Sequence, residues 1–124
     1  MKIEEQHILI DWINIYSKVA IEKILIENNL ILIKIKEYSI PQNKVHETMC
    51  EFYNLKKYQW GKNDPRGKEP FTIYLIKDKS PLYEVRNTSK GIRKVNAKMY
   101  DLKNSLRASI NSKNCFIHGT DNIQ

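Results

Sequence analysis

The sequence predicts an α+β fold, on three observations. Short runs rich in apolar and β-branched residues, at 8–10, 30–36, 71–76 and 114–117, have the length and composition of strands. Between them lie stretches whose apolar residues recur at helical spacing. Glycine and proline number only four each in a chain of 124 residues, so regular elements dominate and the length suits a single domain.

Taken in order, residues 8–10 read as a short buried strand ending at Asp11. A helix is predicted over 13–27, where Tyr16, Val19, Ala20 and Ile24 form one stripe that Ile21 and Leu25 widen. Asn28 and Asn29 end it, because Asn tolerates the left-handed backbone of a helix stop. The next strand is 30–36. Ser39, Pro41 and Gln42 then predict a helix start, by capping, first-turn preference and a capping box respectively. The helix that follows sets Val45, Met49, Phe52 and Tyr53 along one face. Residues 61–70, with two Gly and two Pro, are a loop.

The strand 71–76 ends at Lys77 and Asp78. Ser80 and Pro81 predict a short helix through Arg86, broken by Gly91, and a further helix covers 98–109 with Met99, Leu102 and Leu106 on one side. The last strand, 114–117, leaves His118, Gly119 and Thr120 at its end. This order of elements is that of a ferredoxin-like split β-α-β fold, a four-stranded antiparallel sheet with helices packed on it.

The net charge is +7, from 21 basic and 14 acidic residues, which attracts polyanions without choosing among nucleotides, nucleic acid and acidic lipid. The abundance of Ile, Lys and Asn offers a compositional explanation of the same charge. Cys50 and Cys115 lie far apart and form neither a disulfide framework nor a zinc spacing. The start has no signal-peptide apolar run, and no stretch approaches the roughly 20 apolar residues of a membrane span, so a cytoplasmic location is expected.

Three histidines are candidates for chemistry. His7 opens a strand and His46 sits on an amphipathic helix, and both read as surface or edge residues. His118 differs, because a strand end holds a side chain rigidly while its tip reaches a cleft. An imidazole, with an ordinary pKa of about 6.5, is a good nucleophile toward phosphorus. Arg86 and Arg107 suit the charge that develops on a transferring phosphoryl group, since a guanidinium grips two oxygens at once.

The segment Ile117-His118-Gly119-Thr120-Asp121-Asn122 resembles the signature around the phosphorylated histidine of nucleoside diphosphate kinases. Pro70 through Arg86 is similar to that family's strand, helix and phosphate-binding arginine, and Arg107 falls near its second one. Asn96 and Asn114 resemble polar residues of the family's phosphate site, and Glu51 to Lys56 resembles its helix with a site tyrosine, here Tyr53. Tyr58 or Trp60 comes where an aromatic stacks on the base. The resemblance runs from His7 to Asn122. It implies phosphoryl transfer from a nucleoside triphosphate through His118, Mg²⁺ as cofactor, Thr120 and Asp11 lining the site, and a homo-oligomer. It also implies that 1–124 is one domain, shortened at its C-terminus relative to the family.

The chain departs from the family's pattern at several places. Asp11 stands where the family has a segment with a phosphate-contacting lysine, and it could hold Mg²⁺ or mark a different substrate. Val95 replaces a threonine, and Cys115 replaces an asparagine. Elsewhere, Trp12 reads as core or interface and Arg66 as a solvated turn residue, while Lys90, Arg93, Lys94 and Lys98 form either an anion-steering cluster or an ordinary solvated face.

Two alternatives stand beside the phosphotransferase. One is a non-catalytic module that binds a nucleotide or phosphorylated metabolite in the same pocket. The other is a nucleic-acid binder using the basic surface, which no RNP-type or helix-turn-helix signature supports.

Overall fold

Strand β1 (Glu5–Asp11) carries apolar side chains on both faces, Leu9 on one and Ile8 and Ile10 on the other, so it must be covered twice. In the computed structural model, which describes residues 4–54, 56, 64–109 and 117–120, both covers are present. The elements after β1 are α1 (Lys18–Glu27), β2 (Ile31–Tyr38), a 3₁₀ turn (Gln42–Lys44), α2 (Val45–Phe52) and β3 (Phe71–Asp78). They are followed by β4 (Tyr83–Thr88), β5 (Gly91–Asn96), α3 (Ala97–Ser109) and β6 (Ile117–Gly119). The fold is α+β: the described residues form a four-stranded antiparallel sheet in the order β2-β3-β1-β6, three helices, and a separate β4-β5 hairpin.

One face of the sheet presents Leu9, Tyr74, Ile76 and Ile117 to α1 and α3, which contribute Ile21, Leu25, Met99, Leu102 and Leu106. The opposite face presents Ile10, Trp12 and Phe71 to Val45 and Met49 of α2. Burying each such side chain is worth about 1.5–3 kcal/mol. Tyr74, 1% exposed, has its hydroxyl pushed up to about 12 by burial and by the nearby Asp11 and Glu37 carboxylates.

The predicted strands 8–10, 30–36 and 71–76 and the helices over 98–109 and after Ser39 are found, with shifted bounds; of the predicted strand 114–117 only Ile117 lies among the described residues, at the start of β6. Helix α1 starts at Lys18, not at residue 13, because the Asp11 carboxylate accepts hydrogen bonds from the backbone N–H of Ile13, Ile15 and Tyr16 and holds them in a turn. Ser17 then caps the helix by accepting from Ala20 N–H at 3.1 Å. Asn29 takes the left-handed backbone, φ 56°, just past its end. Ser39 caps nothing; Pro41 precedes the 3₁₀ turn that leads into α2.

The short helix expected through Arg86 is a strand. Tyr83, Val85 and Thr88 pair with Asn96, Lys94 and Gly91, and these β-branched and aromatic residues suit a pleated ribbon. Gly91 reverses the chain at φ +104°, while Thr88 Oγ1 accepts from Lys90 N–H and donates to the Gly91 carbonyl.

His7 is not a surface residue: it is 1% exposed at the centre of a buried polar cluster. Its Nε2 lies 2.8 Å from Glu5 Oε1 and its Nδ1 3.0 Å from Thr120 Oγ1. Asn96 Nδ2 donates to Glu5 and to Asp78, and Asn96 Oδ1 accepts from Met99 N–H to open α3. Lys98 Nζ sits 2.6 Å from Asp78 Oδ1, so this lysine belongs to the cluster and not to a solvated basic face. The cluster thus ties β1, β3, β5 and α3 to the residue that follows β6.

Burial alone would raise the Asp78 carboxyl, but hydrogen bonds from Lys98, Asn96 and the Ser80 N–H, with the Lys98 charge, hold it below the ordinary carboxylate value of 3.8. A depressed folded-state value means stability that is complete above 3.8 and is lost as the pH falls through the lower folded value. Urea unfolding across this acid range is expected to show a shallower loss of stability for Asp78→Asn than for the parent. Independently, Asp11→Ala should cost about 2–3 kcal/mol at neutral pH, since it strands three backbone donors.

Candidate functional site

His118 is placed by the antiparallel register of β6 on β1, which sets it opposite Ile10 and on the α2 face of the sheet. Its half-buried imidazole meets the rings of Phe52 and Tyr53 edge to face, at centroid distances of 5.3 and 5.6 Å. Tyr53 is fixed in turn: its hydroxyl accepts from Trp12 Nε1–H at 3.1 Å, and the Arg66 guanidinium lies 5.8 Å over its ring. Arg66 is not a solvated turn residue, because its Nε and Nη2 donate to the Asp64 carboxylate. Burial would raise the Asp64 carboxyl, yet the hydrogen bonds and charge of Arg66 bring it below the ordinary value.

Beside His118 opens a cleft of about 440 Å³. Helix α3 forms one wall with Tyr100, Lys103, Asn104 and Arg107, which share a helix face by their spacing of three, four and seven residues. The hairpin forms the other with Thr88, Ser89, Lys90, Arg93 and Val95. Tyr53, His118 and Gly119 complete it. Arg107 is held next to the histidine by donating from Nε to the Ile117 carbonyl at 2.9 Å.

Four of the described lining residues, Lys90, Arg93, Lys103 and Arg107, are cations, and none is a carboxylate. Low-dielectric walls focus such a field and favour a polyanion. At about 4 Å each cation–phosphate pair is worth on the order of 1–4 kcal/mol, depending on the effective dielectric.

Of the residues singled out by sequence, the structure brings His118, Arg107 and Tyr53 together in this cleft, with Lys90 and Arg93 of the basic cluster. Arg86 does not line it. Its guanidinium donates to Asp101 through Nε and Nη2 and pairs with Glu84 at 2.9 Å, and these acidic partners raise its already high pKa. Arg93, directly opposite Arg86 in the hairpin, faces the cleft instead.

Asn96 is fully buried as the cap of α3, and Asp11 is 1% exposed and committed to backbone donors; neither lines the cleft. Thr120 also points elsewhere, with Oγ1 accepting from Ile8 N–H and bonded to His7. Asn114, Cys115, Tyr58 and Trp60 lie outside the described residues.

Sequence reasoning passed over Tyr100 and Lys103, although their helical spacing from Arg107 was a readable signal. His46 is exposed, as expected, and Trp12 is core, 2% exposed. Among the described residues no group of three or more His, Cys, Asp and Glu side chains is arranged to hold a metal ion, and no helix is long and apolar enough to cross a membrane. In comparisons with known proteins the chain matches no family model, no curated protein and no solved structure.

Proposed function

We propose that this chain binds the phosphate groups of a nucleoside triphosphate in the cleft beside His118 and takes the terminal phosphoryl group onto that ring. The observation that carries the reading is the meeting of His118 with Arg107, Arg93, Lys103 and Lys90 in one cleft that has no carboxylate among its described lining residues. A ring nitrogen attacks the terminal phosphorus, the bond to the bridging oxygen breaks, and its electron pair leaves with the nucleoside diphosphate. The reverse step delivers the group to a second diphosphate. The cations stabilise charge on the equatorial oxygens while Phe52 and Tyr53 keep the imidazole from turning.

The strand order β2-β3-β1-β6, with a helix in each crossover, fits the ferredoxin-like arrangement that accompanies this chemistry in the resembled kinases. Mg²⁺ suits the reading as a passenger on the phosphates, because the described cleft residues offer hydroxyl and amide oxygens but no carboxylate to hold it alone.

A second reading, nucleotide binding without turnover, is favoured by one specific observation. Arg86 and Asn96, the residues that would complete a family-like site, are occupied by partners within the protein.

Incubation with radiolabelled ATP and Mg²⁺ separates the two. Transfer predicts an acid-labile, alkali-stable label that His118→Ala abolishes, and stoichiometric binding without label supports the module. Arg107→Ala should slow labelling about 10²-fold or more. Arg86→Ala should change it less than about fivefold, as a partly exposed ion-pair residue outside the cleft.

A further inference from the structure

A second cavity lies on the other side of Phe52, and nothing in the phosphoryl chemistry uses it. It measures about 420 Å³, within the roughly 300–1,000 Å³ span of small-ligand sites. Its floor is apolar: Ile10 and Met49 are fully buried and Trp12 and Phe71 are at most 5% exposed. Tyr38 stacks on Phe71 at 5.9 Å, while the inner rings are angled to one another. Trp12 and Phe71 meet at 4.6 Å with a 51° tilt, and Phe52 stands edge-on to Trp12 at 5.6 Å. Tyr38 and Phe52, each 40% exposed, form the rim.

Such angled rings present edges and face area to a planar guest, the arrangement aromatic pairs prefer. The polar lining is sparse: the Tyr38, Ser39 and Thr48 hydroxyls and one cation, Lys44, with no carboxylate among the described lining residues. A single lining ammonium beside an apolar box selects a ligand with one negative end and an apolar body.

We propose that this cavity is a binding site for a small aromatic monoanion, an aryl carboxylate whose ring lies among Trp12, Phe71 and Phe52 and whose carboxylate meets Lys44. The site is separate from the phosphate cleft but shares a wall with it. Phe52 touches both Trp12 and His118, and Tyr53 joins the Trp12 indole N–H to the His118 ring.

The test uses Trp60→Phe protein, in which Trp12 is the sole indole of a chain with two tryptophans. Titration with 2-naphthoate, followed by the ¹H–¹⁵N resonance of the Trp12 indole, should give a saturable shift with a Kd below about 1 mM. Lys44→Ala, an exposed position that leaves folding intact, should weaken binding roughly fivefold. Thr48→Phe, which fills the cavity, should abolish the shift while the far-ultraviolet circular dichroism is unchanged. The titration contains no nucleotide and no Mg²⁺, so the result stands apart from the fate of the phosphoryl reading. Absence of a saturable shift overturns the proposal. So does equal binding of naphthalen-2-ylmethylammonium, of octanoate or of inorganic phosphate, or a Lys44→Ala protein with undiminished affinity.

Discussion

The antiparallel register between β1 and β6 governs the candidate site. Leu9, Ile10 and Asp11 stand opposite Gly119, His118 and Ile117, so Ile117 enters the core under α1 and α3 while His118 faces α2 and the cleft. Because side chains alternate across a strand, a slip of one residue would bury the imidazole and expose Ile117. The register is secured on both sides of the histidine. Ile117 is 1% exposed, and Thr120 donates its N–H to the Ile8 carbonyl while its hydroxyl meets Ile8 N–H and His7. Thr120 therefore supports the site through the strand instead of lining it.

The same register explains why a basic cleft forms beside the histidine. Arg107 reaches from α3 to the carbonyl of Ile117, one residue before His118, and the helix period then brings Lys103 and Tyr100 along the same wall. The hairpin supplies Arg93 and Lys90 from the opposite side. The buried cluster of Glu5, His7, Asp78, Asn96 and Lys98 holds the base of that hairpin against β1 and β3, far from any need for exposed charge.

Much of the fold was legible because local pattern and tertiary demand agreed. The apolar runs that become β1, β2 and β3, the Asn29 helix stop and the α3 stripe of Met99, Leu102 and Leu106 all read directly. The hairpin was misread because Ser80 and Pro81 imitate a helix start, although the alternation through Tyr83 and Val85 and the turn at Gly91 carried the stronger signal. His7 and Asp11 were misplaced for different reasons: nothing local shows that the His7 ring meets Thr120, 113 residues away, and the Asp11 carboxylate was read toward a ligand when it caps the turn just ahead. Of the site, His118 and Arg107 were legible from a motif. The exchange of Arg86 for Arg93 was not, since it depends on Asp101 and Glu84 capturing one arginine of a cross-strand pair.

A crystal structure with a non-hydrolysable ATP analogue and Mg²⁺ tests the role of this register most directly. The terminal phosphate should lie in line with a ring nitrogen of His118, with Arg107 and Arg93 on its oxygens and Arg86 still bound to Asp101. A nucleotide seated elsewhere, or an imidazole on the α1/α3 face of the sheet, would contradict it.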